Sequence, residues 1–483
     1  MSDFVPRPSA DVQAALPAAR GVEPDWTAPL PPQPKSVAGT GLELQLIVEL
    51  LAKAIFSAGK IHLPVLTTRL RLPINVLREA LDFMLAEQLV EVAWRGESDL
   101  DVQYQLTGPG KQRAAVYLER CPYVGPAPVT LEAYCAMLER QCWRQPERQR
   151  VDAGEIGAVF GADRLAPGVL DLIGAAMHSG RSMLLYGPPG GGKTTLARKL
   201  GGLLHGLVAV PYAIVAGTEI IRIHDPLLHL APSPQQTAHA QRTVERRSTD
   251  IRWALCQRPL VEVGAELSAD MLDLRHDAVG GCYQAPPHLR ANNGILVIDD
   301  LGRQRIDTAT LLNRFMQPLD AGRDQFTLRG GHKFSVPFDV VLVFATNLAP
   351  QTLLDESFLR RLGYKIHVGA LSQAHYLALL REQCRAAGVA CDDAAALHLL
   401  ERLHGDSGRP LLASYPRELV GRVVDFAGFA GHAPRLSVAS LEQAWHSMFA
   451  ACAPGAMPAP PARALYAEAE AEVGAGARHG ELI

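Results

Sequence analysis

The run from Gly187 to Thr195 has the residue types of a loop that wraps phosphate groups. It reads Gly-Pro-Pro-Gly-Gly-Gly-Lys-Thr-Thr and fits the pattern G-x-x-x-x-G-K-[ST]. Glycines let backbone N–H groups approach phosphate oxygens, the lysine reaches the β- and γ-phosphates, and the next hydroxyl can bind Mg²⁺. We therefore expect this loop to bind ATP with magnesium, and Thr194 to be a magnesium ligand. The predicted nucleotide-binding residues are Gly187, Pro188, Pro189, Gly190, Gly191, Gly192, Lys193, Thr194 and Thr195.

Further polar residues with suitable chemistry follow two later apolar runs. Asp299 and Asp300 come directly after residues 295–298, and Asn347 follows residues 340–345. We expect Asp299 to hold Mg²⁺, Asp300 to orient or deprotonate the attacking water, and Asn347 to polarise that water. Two alternatives stay open: Asp300 as an outer carboxylate in a slow nucleotide switch, and Asn347 as an ordinary turn residue.

Short apolar segments must position these groups. Residues 182–186, 295–298 and 340–345 each have the length and composition of a buried strand. Leucines at helical spacing follow the glycine loop, from Leu196 to Leu204. A strand, a glycine loop and a helix in this order form the context in which the loop pattern marks a phosphate site.

These motifs resemble those of AAA+ ATPases over Leu172 to about Ala450. The glycine loop matches Walker A, residues 295–300 match Walker B, and Asn347 matches sensor 1. The resemblance implies an α/β fold: a P-loop core with a parallel sheet flanked by helices at 156–370, then a C-terminal helical lid at 371–452.

Three arginines take their expected roles from this resemblance. Arg361, with Arg360 as second choice, lies where the family places its arginine finger, which neutralises transition-state charge at a neighbouring subunit's site. Arg417 resembles the sensor 2 arginine, which touches ATP within its own subunit. A finger implies a homo-oligomeric ring or filament, most often a hexamer. The alternative for Arg360 and Arg361 is an ion pair or solvated surface, and for Arg417 a surface position at a helix start.

Two further features of the sequence concern its resemblance to this family. Most AAA+ enzymes have Glu where this chain has Asp300, and the shorter side chain requires a closer water or slows catalysis. The same Asp-Asp pair also occurs in DNA-replication initiators and transposition helper ATPases.

A predicted hairpin at 326–336 resembles pore-lining hairpins, in which His332 or Lys333 would contact a threaded substrate. The alternative is that the tip of the hairpin is exposed to solvent and contacts no substrate.

Residues 42–120 have the pattern of a separate small domain. Apolar spacing predicts three helices, and alternation at 90–94 and 102–106 predicts a two-stranded wing, so the segment resembles a winged helix-turn-helix domain. Its nine basic residues are matched by ten acidic ones, which leaves no charge surplus for DNA phosphates. We expect it to dock a protein partner, with DNA contact or structural packing as alternatives.

The remaining segments delimit the domains. We predict a flexible Pro-rich leader at 1–41, a linker at 121–155 and a flexible tail at 453–483. The net charge of -3 gives no general polyanion-binding signal. No apolar run reaches the ~20 residues of a membrane span, and no secretory signal is evident, so we expect a cytoplasmic protein without membrane insertion.

The leading hypothesis is an AAA+ ATPase that hydrolyses ATP with Mg²⁺ in an oligomeric ring and remodels a protein partner or complex. The alternatives are a DNA-associated AAA+ ATPase of initiator, loader or regulator type, and a slow ATP-switched scaffold.

Overall fold

The computed structural model describes residues 30–97, 101–143, 151–161, 165–234, 236, 249–353 and 355–449. The chain forms two compact units. One comprises residues 1–187 and 193–367, and the other comprises residues 188–192 and 368–483. The predicted tail and the first 29 residues of the predicted leader lie outside the described residues. No described helix combines the length and hydrophobicity needed to cross a membrane.

The N-terminal part of the first unit is a helical module with a small antiparallel sheet. Its helices are α1 (Leu44–Ala58), α2 (Leu63–Leu70), α3 (Ile74–Ala86) and α4 (Gly108–Arg120), and its strands are β1 (Lys60–His62), β2 (Val90–Arg95) and β3 (Val102–Leu106). Strand β3 lies between β1 and β2. The three predicted helices and two predicted strands are confirmed, whereas β1 and α4 were not predicted. Residues 47–55 of α1 are buried, and the apolar ones among them lie in the core of this module.

The end of the predicted flexible leader is packed, which corrects that prediction for residues 30–41. Val37 is buried, and its N–H donates to a carboxylate oxygen of Glu79 at 2.8 Å. Thr40 is also buried, and its carbonyl accepts a bond from Arg252 at 3.0 Å. These contacts fix the backbone of a stretch whose composition alone suggested freedom.

The predicted linker is likewise built into the fold. It contains β4 (Val129–Thr130) and α5 (Leu131–Arg140). Gln141 follows α5 and is almost fully buried; its amide exchanges two hydrogen bonds with the backbone of Ala209 and donates to the side chain of Asn293. Residues 129–141 of the predicted linker are therefore packed and do not form a free connection.

A second sheet covers the outer part of the first unit. Its order is β11-β12-β8-β7-β4, with β7 (Ala213–Ala216), β8 (Glu219–Arg222), β11 (Arg275–Asp277) and β12 (Cys282–Gln284). Two antiparallel pairs accompany it: β6 (Leu207–Pro211) with β9 (Trp253–Gln257), and β14 (Arg323–Thr327) with β15 (Lys333–Pro337). Ile214, Tyr283, Phe326 and Val336 share one apolar core between these elements. The hairpin expected at 326–336 is confirmed.

The central sheet is parallel throughout, in the order β10-β13-β16-β5-β17. Its strands are β5 (Met183–Tyr186), β10 (Leu260–Val263), β13 (Gly294–Ile298), β16 (Val340–Thr346) and β17 (Tyr364–His367). The helices of this part are α6 (Ala153–Phe160), α7 (Pro167–Ser179), α8 (Lys193–Lys199), α9 (Pro287–Arg290), α10 (Thr308–Ala321), α11 (Pro350–Leu353) and α12 (Glu356–Arg361). Strands β13 and β16 are buried along their whole length, because elements cover both faces of the sheet. The predicted α/β fold with a parallel sheet is confirmed.

The second unit is helical, as predicted for residues 371–452 as far as they are described. Its helical elements are α13 (Gln373–Ala386), α14 (Asp393–His398), a π-helical turn (Leu399–His404), α15 (Gly405–Ser407), α16 (Ser414–Ala430) and α17 (Val438–Phe449). Two short strands, β18 (Ala390–Cys391) and β19 (Arg435–Leu436), pair beside them. Tyr376, Leu419 and Trp445 belong to its apolar core.

Candidate nucleotide-binding site

The glycine loop joins β5 to α8 and has a backbone that requires glycine at three positions. Gly187, Gly190 and Gly192 have φ angles of 146°, 82° and 94°, a region in which side chains with a Cβ are strained. Such a backbone turns successive N–H groups toward one side of the loop, which is the arrangement that holds phosphate oxygens.

Lys193 begins α8 and is only 6% exposed. Its ammonium donates a hydrogen bond to the carbonyl of Gly187 at 3.0 Å, across the loop it follows. Burial lowers the pKa of Lys193, and the nearby carboxylates of Asp300 and Asp299 oppose that shift. The lysine and both acids predicted from sequence therefore lie within electrostatic reach of one another.

The sheet order explains why these groups meet. β13 and β5 both pair with β16, so the carboxyl ends of the three strands adjoin at one edge of the sheet, where ligands of open α/β sheets bind. Asp300 follows β13 and Asn347 follows β16, and the amide of Asn347 donates to Asp300 Oδ1 at 3.2 Å. The side chains of Asp300 and Asn347, both expected from the sequence to act on the attacking water, are thus in direct contact.

The two predicted magnesium ligands have suitable chemistry. Asp299 is half-buried, and its Oδ1 accepts the N–H of Asp300 at 3.0 Å. Thr194 is half-buried beside Lys193, whereas Thr195 is exposed. Hydroxyl and carboxylate oxygens are the ligands that Mg²⁺ prefers, together with water and substrate phosphates, so Thr194 and Asp299 fit this ion.

The two finger candidates have different surroundings. Arg361 is bound through two nitrogens to Asp320 at 2.7–2.8 Å and also donates to the carbonyl and hydroxyl of Ser357 at 2.8 Å. Its side chain is 28% exposed, whereas that of Arg360 is 76% exposed and, among the residues that the structure describes, binds the exposed Glu356 one helical turn earlier. Arg361 is therefore held by its own subunit, and Arg360 projects into solvent.

The second unit contains the loop residues 188–192 and the sensor 2 candidate. The N–H of Ser414 donates to the carbonyl of Gly190 at 3.0 Å. A Cβ at Gly190 would lie 2.5 Å from the hydroxyl of Ser414, so only glycine fits there. Arg417 is exposed in the first turn of α16 and makes no ion pair within the described part of the chain.

The tip of the hairpin β14–β15 is exposed at His332 and Lys333. The turn between the two strands is anchored at Arg329. The backbone N–H of Arg329 donates to the hydroxyl of Tyr283 at 3.0 Å, and its guanidinium lies 3.3 Å from a ring nitrogen of His276. The hairpin is therefore docked on the second sheet, with the tip side chains left in solvent.

Sequence reasoning missed three residues that shape this region. Asp320 holds Arg361 from 41 positions away, and Ser414 meets the glycine loop from the far end of the chain. Gln304 ties the turn after Asp299, with its amide 2.7 Å from the carbonyl of that residue. Asp320 and Gln304 carry no motif, whereas Ser414 is the first residue of the run that resembles sensor 2, although its contact with the glycine loop was not predicted.

Comparison with known proteins agrees with this geometry. Residues 183–370 match the family model described as ATPase family associated with various cellular activities (AAA). This segment is an AAA ATPase domain. Residues 372–447 match a second model, described as a domain of unknown function (DUF8689). Members of the AAA+ family are typically ATPases. No curated protein matches the sequence.

Solved AAA+ structures show only a distant likeness. The Thermotoga maritima RuvB Holliday junction branch migration motor is 15% identical, with 59% of this chain and 70% of that chain covered and a TM-score of 0.33. NtrX from Brucella abortus in complex with ATP is 16% identical, with 70% of this chain and 64% of that chain covered and a TM-score of 0.37. Identities and TM-scores this low do not indicate that the chain shares the activity of either protein.

Proposed function

We propose that this AAA+ protein binds ATP with Mg²⁺, hydrolyses it in a homo-oligomeric ring, and uses the energy to remodel a protein partner in the cytoplasm. The observation that carries the proposal is the convergence of Lys193, Asp299, Asp300 and Asn347 at one edge of the parallel sheet. Each residue has the chemistry that phosphoryl transfer to water requires: a cation, a metal ligand, a base and a polar group for the water.

In this proposal Thr194 and Asp299 hold Mg²⁺, which neutralises charge on the phosphates. The loop N–H groups and Lys193 bind the phosphate oxygens. Asp300 accepts the proton of the attacking water, and Asn347 fixes the carboxylate through its amide. Arg417 contacts ATP within its own subunit, as a sensor 2 arginine does.

We favour Arg360 over Arg361 as the residue that acts on a neighbouring subunit. An arginine that works in trans must leave its own contacts, and Arg361 would have to give up the paired bonds to Asp320 and those to Ser357. Arg360 has only an exposed i,i+4 ion pair to lose, which contributes about 0.3–0.5 kcal/mol. Arg361 then stabilises the helix that presents Arg360.

The N-terminal module supports a protein partner over DNA. Its connectivity, three helices with a wing, fits a winged helix, whose third helix would be the one to enter a DNA groove. The exposed residues of α3 and its end include Glu79, Asp82 and Glu87, and DNA phosphates repel such a surface. Arg71 lies 4.9 Å from the ring centre of Tyr212 and is engaged within the protein.

A DNA-associated ATPase is the second candidate, because the module's connectivity favours it. Duplex binding measured at two salt concentrations separates the two functions, since phosphate contacts weaken steeply with salt. The proposed function predicts no salt-sensitive binding and no effect of reversing the charge of Arg69, Arg71 and Arg78. Salt-sensitive binding that these reversals abolish would replace it with the second candidate.

Assembly and turnover test the ring and separate it from a slow ATP-switched scaffold. Light scattering after size exclusion, with and without ATP and Mg²⁺, is expected to show a larger species only with nucleotide, alongside steady phosphate release. A nucleotide-dependent assembly that releases no phosphate, even with candidate partners present, would support the scaffold.

A further inference from the structure

One side chain, that of Gln304, closes the turn that follows the Walker B strand. Its amide nitrogen donates to the carbonyls of Asp299 and Asp300, at 2.7 and 3.3 Å. Its amide oxygen accepts the N–H of Gly302 at 2.9 Å. A single half-buried glutamine thus binds three backbone groups within the short turn that carries both acids.

The turn needs such support because Asp300 has left-handed backbone geometry. Its φ angle is 49°, and for a residue other than glycine this conformation is strained because Cβ lies too close to the following carbonyl oxygen. Residues of this kind persist only where the surrounding structure fixes them, and they concentrate at functional sites. The left-handed conformation of Asp300 therefore requires bonds that hold it, and it points to a function for this residue.

The cause lies in bonds on both sides of Asp300. The next residue, Leu301, is fixed to β16, because its N–H donates to Ala345 at 2.7 Å and its carbonyl accepts the hydroxyl of Thr346 at 2.9 Å. The carbonyl of Asp300 accepts the backbone N–H of Arg303 at 3.0 Å and the side-chain amide of Gln304 at 3.3 Å. With Leu301 bound to the sheet, Gln304 is the side chain that fixes the peptide group after Asp300.

The role follows from where the carboxylate then lies. Because the chain turns at Asp300, the short side chain reaches the amide of Asn347 at 3.2 Å and lies in the electrostatic field of Lys193. An aspartate in extended strand geometry would continue along β13 instead.

We propose that Gln304 is a positioning residue for ATP hydrolysis, which holds the left-handed turn that brings the Asp300 carboxylate to Asn347 and the attacking water. The inference rests on the proposed function, in which Asp300 is the base. It adds a residue that touches neither nucleotide nor metal and acts through the backbone of the acid pair.

Two substitutions test it. Gln304→Ala removes all three bonds, and Gln304→Glu keeps the length and the acceptor for Gly302 but cannot donate to the two carbonyls. Both are expected to lower kcat by about 10- to 100-fold, the effect of a misplaced reacting group, while KM for ATP changes less than about threefold. Gln325→Ala, an exposed glutamine on β14, is the matched control and is expected to keep the kcat of the wild type.

Hydrogen exchange supplies a measurement that does not need turnover. The peptide covering residues 294–306 is expected to exchange faster in Gln304→Ala than in the wild type. If the wild type hydrolyses ATP and both Gln304 variants keep kcat within twofold, the positioning role is overturned while the proposed function stands. If the wild type releases no more phosphate than Lys193→Ala, the proposed function fails and the positioning role fails with it.

Discussion

At the scale of single residues, the candidate site depends on positions where only one residue type fits. Gly190 is the clearest, because it combines a φ angle of 82° with a Cβ position 2.5 Å from the hydroxyl of Ser414. Its carbonyl also accepts the N–H of Ser414. A side chain here would displace the loop or the start of α16.

We predict that Gly190→Ala weakens ATP binding by at least about tenfold, since tenfold corresponds to only about 1.4 kcal/mol and both the strain and the clash oppose the loop's shape. Gly388→Ala is the matched control, with a φ angle of 67° and no atom within 4 Å of its Cβ position. The measurement is the Kd for ATP by titration calorimetry. Equal affinities for the two variants would show that the loop does not need glycine at 190.

At the scale of residues, the sequence was most informative where polar residues of suitable chemistry directly follow a predicted strand. Lys193, Asp299, Asp300 and Asn347 were predicted because phosphate chemistry demands their types after short apolar runs. The partners of these residues were not predictable, because a bond such as Arg361 to Asp320 depends on how α12 packs beside α10, which no local pattern encodes.

At the scale of elements, buried histidines join segments of the first unit and make its stability depend on pH. His229 accepts the N–H of Asp225 at 2.9 Å and its other ring nitrogen lies 3.0 Å from the carbonyl of Arg290, so it links the segment after β8 to α9. Burial lowers the pKa of His229 to about 4, with a further contribution from His224. A protonated ring would lose its acceptor for Asp225.

The sign of the pH effect follows from that lowered pKa. Above the unfolded value of 6.5 the ring is neutral in both states; as pH falls below it, the unfolded chain takes up a proton that the native state resists. We predict that His229 alone makes the protein about 2 kcal/mol less stable at pH 5 than at pH 7.

Denaturant unfolding at pH 7 and pH 5 measures this contribution. His229→Asn is expected to be less stable at pH 7 but to lose less stability on acidification than the wild type does. His446→Asn, at an exposed position on α17, is expected to behave like the wild type. A His229→Asn variant with an undiminished pH dependence would contradict the assignment.

Helices and strands were easier to predict from the sequence where their residues are buried. Strand β16 was recognisable because it is apolar and buried on both faces, whereas β4 and β11 are only two and three residues long. Strand β4 also pairs with the distant β7, although β11 pairs with the neighbouring β12. The packed part of the predicted linker was missed for the same reason: Gln141 is a polar residue whose burial is made possible by partners from 68 and 152 positions away.

At the scale of the whole molecule, the central question is whether subunits complete one another's sites. If Arg360 acts in trans, Arg360→Ala should bind ATP and assemble normally but lower kcat by about 10³-fold or more, the usual contribution of an arginine finger. Arg361→Ala should mainly reduce thermal stability. Arg381→Ala, another exposed arginine with a single ion pair, is the control.

Mixing experiments make this test specific. A Lys193→Ala subunit lacks the phosphate lysine but can still donate Arg360, so mixtures of Lys193→Ala and Arg360→Ala subunits should regain activity that neither has alone. Rescue by mixing with Arg361→Ala instead, and not with Arg360→Ala, would reassign the finger.

The most direct test of the account is steady-state phosphate release with ATP and Mg²⁺, for the wild type, Lys193→Ala and Asp300→Asn. We predict that the wild type turns over, that Lys193→Ala loses ATP binding and hydrolysis, and that Asp300→Asn binds ATP but hydrolyses it at least about 10²-fold more slowly, as loss of a general base requires. Phosphate release that is equal in all three proteins would contradict the proposed site, and its absence from the wild type would contradict the proposed activity.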